Sequence, residues 1–159
     1  MDTLLEKLRR HPFCQIVGPH GSGKSTLLRE LLKRYKDNRE NVRYLFFNDQ
    51  QRRIPGGMHI SDDQILFIDG FEQLPHIDRF RLRFRSKHLI VTVHHPVWFI
   101  PVLYRTKPHF SVFVQAVRQM SPDLPEESRL RNVYERSGGN FRNAFFELYD
   151  QWEEEHRMC

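Results

Sequence analysis

Cysteine is almost missing from this chain. There are two among 159 residues, Cys14 in an apolar run and Cys159 at the last position. A structural disulfide between them is not expected, a domain of this size needs none to hold it together, and the pattern suits a reducing, cytoplasmic setting. A run of ~20 apolar residues, the length of a membrane span, is also lacking. The opening MDTLLEKLRRHPF is charged and broken by Pro12, which argues against a secretory leader. Neither an internal repeat nor a low-complexity tract interrupts the chain. Acidic charge is in short supply as well: 25 Lys and Arg face 20 Asp and Glu, a formal net charge of +5. An excess that small is a weak pointer to an anionic partner, nucleic acid included. Thirteen phenylalanines are present, too many for a disordered chain and enough for the core of one domain.

Hydrophobic periodicity orders the elements. Leu4, Leu5 and Leu8 recur at helical spacing and Pro12 ends that helix. Residues 13–17 (FCQIV) read as a short buried strand, followed by glycine-rich GPHGSG and by a helix, KSTLLRELLKRY, with Leu27, Leu28, Leu31 and Leu32 on one face. Further strands are expected at 42–48, 65–69 and 88–93. Between 72 and 87 the alternation of Arg79, Arg81, Arg83 and Arg85 with Phe80, Leu82 and Phe84 has a strand-like period. A helix is nevertheless expected there, because parallel strands need a crossover. Residues 96–108, bracketed by Pro96, Pro101 and Pro108, read as an apolar loop, and HFSVFV (109–114) as a last strand. A helix from SPDLPEE to about Ser137, the stop Gly138-Gly139 and a final helix capped by Asn140 complete the chain. Strands alternating with helices predict an α/β fold: a mostly parallel five-stranded sheet in a three-layer sandwich, with a core over 1–120 and a small helical lid over 121–159.

Two motifs carry chemistry. Gly18-Pro19-His20-Gly21-Ser22-Gly23-Lys24-Ser25 fits G-x-x-x-x-G-K-[ST] at every fixed position, between a strand and a helix. Backbone N–H groups of such a loop converge on phosphates, and the following helix adds its dipole. Lys24 would reach the β- and γ-phosphates, Ser25 would hold magnesium, and Thr26 would touch the α-phosphate. The second motif is Ile65-Leu66-Phe67-Ile68-Asp69, the Walker B pattern, in which a carboxylate at a strand end holds magnesium through water. The pair predicts ATP and Mg2+ as ligands, with the base unspecified.

On these residues the chain resembles the P-loop NTPases of the additional-strand group, in which a further strand lies between the P-loop and Walker B strands. The resemblance implies a polar "sensor" after the next strand, a place held here by Thr92 and His94. Ser137-Gly138-Gly139-Asn140-Phe141-Arg142 looks like the start of the sensor-2 helix of AAA+ ATPases, which implies a phosphate-contacting role for Arg142. Two features depart from that family. The lid is about half the usual size, and Gly70 stands where a catalytic Glu normally follows the Walker B Asp. Glu72, three residues on, and His94 are the candidates for positioning water.

The reading that results is an ATP-binding, weak or partner-stimulated AAA+-like ATPase serving as a nucleotide-dependent switch. The alternative is a small-molecule or nucleoside kinase, with the arginines at 79–85 clamping a phosphoryl group. An ABC-type ATPase is excluded, since its helical insert does not fit between Lys24 and Asp69. The apolar stretch 97–105 is a candidate surface for a protein partner or for self-association, and Arg105 within it a candidate arginine finger.

Overall fold

The computed structural model describes residues 2–38, 40–56, 58–61, 63–120 and 125–157. The chain divides into two compact units, Met1–Gly18 with Lys24–Arg105, and Pro19–Gly23 with Thr106–Cys159.

The first unit is built on a five-stranded sheet. Its strands are β1 (Phe13–Val17), β2 (Val42–Phe46), β3 (Ile65–Asp69), β4 (His88–Val93) and β5 (Val102–Arg105). They lie in the order β2-β3-β4-β1-β5, and every neighbouring pair is parallel. Parallel strands covered on both faces become continuous apolar runs, and β3 is buried at all five positions. Alternate residues feed opposite faces. Leu66, Ile68, Leu89 and Val91 join a cluster containing Phe71, Leu74 and Leu82, the last from helix α3 (His76–Arg85). Ile65, Phe67, Ile16 and Ile90 join Leu28 and Leu31 of helix α2 (Lys24–Asp37), with Leu8 of helix α1 (Asp2–Arg10). This is the expected α/β architecture, with a helix at 76–85 rather than the strand its alternating sequence imitates.

Strand β1 carries a polar residue, Gln15, buried in mid-strand. Its Nε2 donates to the carbonyls of Val97 (2.8 Å) and Ile100, and its Oε1 accepts from the Val97 N–H (2.8 Å). A polar side chain inside the sheet is thereby fully used, and it pins the 97–100 turn.

The second unit is helical: α4 (Phe110–Met120), α5 (Glu127–Arg136) and α6 (Phe141–Arg157). Phe113, Val117, Leu130, Val133 and Ala144 form its core. Arg129 joins α5 to α6 through Gln151 (2.8 Å) and Glu155 (2.7 Å), and Arg136 pairs with Glu147.

Two expectations fail together. Residues 109–114 are not a strand but open α4, and the fifth strand is 102–105, inside the stretch read as a loop. Phe110, Phe113, Val114 and Val117 fall at helical spacing and pack into the helical core. Six residues rich in Phe and Val were too short a window to reveal that period. β5 is an edge strand with one buried residue, Leu103, so its pattern is faint. The expected start of the fifth helix at SPDLPEE falls partly on residues 121–124, outside the described residues; α5 is described from Glu127.

Candidate functional site

Asp69 is the hub of the first unit's polar cluster. It ends β3 and is buried. Its Oδ1 accepts hydrogen bonds from Ser25 Oγ at 3.0 Å and Thr92 Oγ1 at 2.5 Å, and its Oδ2 accepts one from the Tyr44 hydroxyl at 3.2 Å. Each donor comes from a different element: Ser25 from the first turn of α2, Thr92 from β4 and Tyr44 from β2. Thr92 in turn accepts from the Gly70 N–H at 3.0 Å. Lys24 is buried at the start of α2, and its Nζ donates to the Gly18 carbonyl at 2.7 Å. Gly18 itself is tied to β4 by its N–H, which donates to the Val93 carbonyl (3.2 Å). The structure therefore brings together Gly18, Lys24, Ser25, Asp69 and Thr92, while Thr26 lies exposed one position further along α2.

Gly70 explains why no carboxylate follows Asp69 directly. Its φ is 79°, and a Cβ there would run into the Phe47 carbonyl oxygen. No L side chain fits without moving the backbone. The chain instead enters a 3-10 turn, Phe71–Gln73, closed by the Gln73 N–H on the Gly70 carbonyl at 2.9 Å. Arg79 of α3 fastens the turn, donating to the carbonyls of Leu74 (2.7 Å) and Glu72 (2.6 Å).

That turn presents Glu72 to His94. Glu72 Oε1 lies 2.5 Å from His94 Nδ1, while Oε2 is buried with no hydrogen-bond partner among the described residues. The two residues that the sequence offers as alternatives are thus one hydrogen-bonded pair. Burial pushes the Glu72 carboxyl above its ordinary range, with the Asp69 charge adding in the same direction. Tyr44 is also raised, by burial first and the Asp69 charge second, which keeps its hydroxyl a donor. Tyr44 was not foreseen from sequence. Its only signal there is a polar tip in strand VRYLFFN, and nothing local tells that it faces Asp69.

The remaining loop residues belong to the second unit. Pro19 and His20 are exposed, whereas Ser22 is buried, donating to the Pro19 carbonyl (2.8 Å) and hydrogen-bonded to Thr106 Oγ1 (2.6 Å). Gly21 has φ 68°, and a Cβ on it would collide with the Asn140 side chain. Its carbonyl accepts the Phe141 N–H at 3.3 Å. Gly23 is exposed. Asn140 Oδ1 caps α6 by accepting from the N–H groups of Arg142 (3.1 Å) and Asn143 (3.4 Å). Arg142 lies exposed on the first turn of that helix.

A family model described as Novel STAND NTPase 3 matches residues 1–94, over half of the chain, including helix α2 with Lys24 and the strands with Asp69 and Thr92. The chain belongs to that family. No curated protein matches it. A nucleotide-binding NTPase of the STAND class needs a nucleotide and, as a rule, magnesium. The donor chemistry fits: Ser25 and Asp69 are hard oxygen donors side by side, while no group of three or more His, Cys, Asp or Glu able to hold a metal occurs among the described residues. Magnesium asks for just this, one or two protein oxygens with water and phosphate supplying the rest. The buried orphan oxygen of Glu72 is the second mark of a site, since such atoms are rare without a ligand or water to meet them. Of the described residues, no helix is long and apolar enough to cross a membrane.

Proposed function

We propose that this NTPase binds ATP with magnesium through Gly18–Thr26 and Asp69, and hydrolyses it slowly unless a partner stimulates it, as a nucleotide-dependent switch of the AAA+-like, additional-strand type. The observation that carries the reading is the Ser25–Asp69–Thr92 cluster at the ends of α2, β3 and β4. The position of β4 between β1 and β3 supports the additional-strand assignment.

Bound magnesium would neutralise phosphate charge and orient the transferred group. Ser25 and Asp69 are its holders, Asp69 through water. Lys24, now on the Gly18 carbonyl, is the charge offered to the β- and γ-phosphates. Thr92 fits a positioning role, since its hydroxyl is occupied by Asp69 and Gly70. The Glu72–His94 pair is the water-handling element. Glu72 accepts the proton, its unpartnered Oε2 being the vacant acceptor, while His94 fixes the carboxylate through Oε1. A carboxylate reached only through the 3-10 turn, and shared with a histidine, would make turnover slow in the isolated chain. For Arg142, exposed on the first turn of α6, we keep the phosphate-contacting role that the sequence resemblance implies.

The kinase alternative would draw on the arginines of α3. Two of its four arginines are already engaged, Arg79 on the turn carbonyls and Arg83 stacked 3.4 Å over the Phe13 ring.

Calorimetry of Mg2+-dependent ATP binding to wild type and Lys24→Ala tests the reading, with phosphate release followed in parallel. The expected result is wild-type binding weakened at least ~10-fold in the variant, about 1.4 kcal/mol. Wild type that binds neither ATP, GTP nor ADP would sink it.

A further inference from the structure

Helix α3 is apolar on the wrong side. Leu82 faces the core, yet Ile77, Phe80 and Phe84, at i, i+3 and i+7, stand outward at 63, 54 and 69% exposure. Phe80 and Phe84 touch each other with ring centroids 4.8 Å apart. The stripe continues through Phe99 (6.4 Å from Phe80) to Trp98 (5.4 Å from Phe99), which is 91% exposed. Trp98 sits in the turn that Gln15 pins, so the aromatic is held out by a buried clamp. A contiguous aromatic patch of this kind marks an interaction surface. Its charge is one-sided: α3 carries four arginines against one aspartate, with Arg81 and Arg85 exposed beside the stripe.

The second unit contains the complement. Along α6, Phe146, Tyr149 and Trp152 stand outward at 63, 55 and 53% exposure, with Tyr149 and Trp152 stacked at 6.2 Å. Of the five acidic residues on that helix, Glu147, Glu153 and Glu155 are paired with Arg136, Arg157 and Arg129, which leaves Asp150 as the carboxylate beside the stripe. Nucleic acid is the weaker fit to α3. Arg79 and Arg83 are engaged within the unit and Arg81 lies 4.0 Å from Asp78, whereas phosphate-backbone binding draws on several available cations.

We propose that the α3 stripe of one copy docks on the α6 stripe of a second copy, aromatic against aromatic, with Arg85 opposite Asp150. Such an interface is heterologous: each copy carries both halves, so copies add head to tail and build a ring or an open chain. This is independent of the nucleotide chemistry proposed above.

Sedimentation velocity on the full chain, from about 5 to 200 µM, brackets a micromolar association. The expected result is a sedimentation coefficient that rises with concentration and falls back with salt. Phe80→Ser/Phe84→Ser and Phe146→Ser/Trp152→Ser should each weaken association at least ~10-fold, the loss typical of truncating aromatic anchors. Mixed one to one, they should form a heterodimer and stop there, because each retains one intact half. Arg85→Glu should weaken association and Asp150→Lys in the second copy should restore it, a rescue that misfolding would not produce. The proposal is overturned if wild type stays monomeric throughout, or if the α6 variant associates as wild type does. It is equally overturned if the α3 variant loses only the binding of a single-stranded oligonucleotide and not self-association.

Discussion

A carboxylate at the end of a β-strand can be followed by another only where the backbone leaves room for its Cβ. At Gly70 it does not, so the second carboxylate of this site comes from Glu72, two residues after Gly70, by way of the 3-10 turn. Glu72→Gln is expected to lower phosphate release ~100-fold, in the range of a lost general base, while leaving ATP affinity within ~3-fold of wild type. Unchanged turnover would remove Glu72 from the mechanism. The same substitution has a signed effect on stability. Burial raises the folded-state pKa of Glu72, so the fold disfavours the ionised form, and wild type loses stability as pH rises through that pKa. Glutamine has no such loss. The variant should therefore melt higher than wild type at neutral pH, with the gap closing below about pH 4.3, the ordinary glutamate pKa. Tyr44→Phe isolates a different effect. It removes one of the three hydrogen-bond donors to Asp69 without touching Lys24, and it should raise the Mg2+ concentration for half-maximal ATP binding ~3- to 10-fold, the loss of about 1 kcal/mol. An unaltered magnesium requirement would make Tyr44 a bystander.

At the scale of elements, β1 shows how a strand can serve the core and a loop together. Gln15→Leu would fit the apolar sheet but strand the Val97 N–H and the Ile100 carbonyl, while the Val97 carbonyl keeps the Ile100 N–H. The expected cost is about 2–4 kcal/mol in urea unfolding, from buried groups left without partners, together with altered fluorescence as Trp98 loses its fixed turn. A variant as stable as wild type would show that water meets those groups instead. Gln15 also marks the limit of what sequence conveys. The strand FCQIV, the α2 helix and ILFID were legible because burial on both faces imposes apolar runs at strand length and glycine punctuates them. The loop Gly18–Thr26 stood out because its glycines and lysine fit a fixed spacing between a strand and a helix. β5 and α4 were exchanged because Leu103 is the sole buried side chain of the strand, while Phe113 and Val117 reveal their helical spacing only alongside α5 and α6. The Glu72–His94 pair was visible only as two separate candidates. Their meeting depends on the φ of Gly70 and the clamp of Arg79, neither of which has a local sequence signature.

On the scale of the whole molecule, the glycine-rich loop is divided. Gly18 and Lys24–Thr26 are packed with the sheet, while Pro19–Gly23 is packed with the helices that follow Arg105. Within that second unit Ser22 is bonded to Thr106, the Phe141 N–H holds the Gly21 carbonyl, and Asn140 occupies the space that a larger residue at 21 would need. In the proposed reading, Pro19–Gly23 supply backbone that grips phosphate, so ligand would stabilise the second unit, to which those residues belong. Ligand at 100 times its Kd stabilises the binding-competent state by about 2.7 kcal/mol. Hydrogen exchange with ATP and magnesium present should accordingly slow in α5 and α6 as well as in α2. Asn140→Ala should weaken both effects: it uncaps α6, at about 1 kcal/mol, and loosens the seat of Gly21, so ATP affinity should fall ~3- to 10-fold although Asn140 is no phosphate ligand in this reading. Exchange protection confined to the sheet and α2, with full affinity in the Asn140 variant, would mean that the second unit does not respond to nucleotide at all. Protection that spreads to α6 in wild type and is lost in the variant would identify the five residues 19–23 as the coupling element, since they carry the loop's backbone into the second unit.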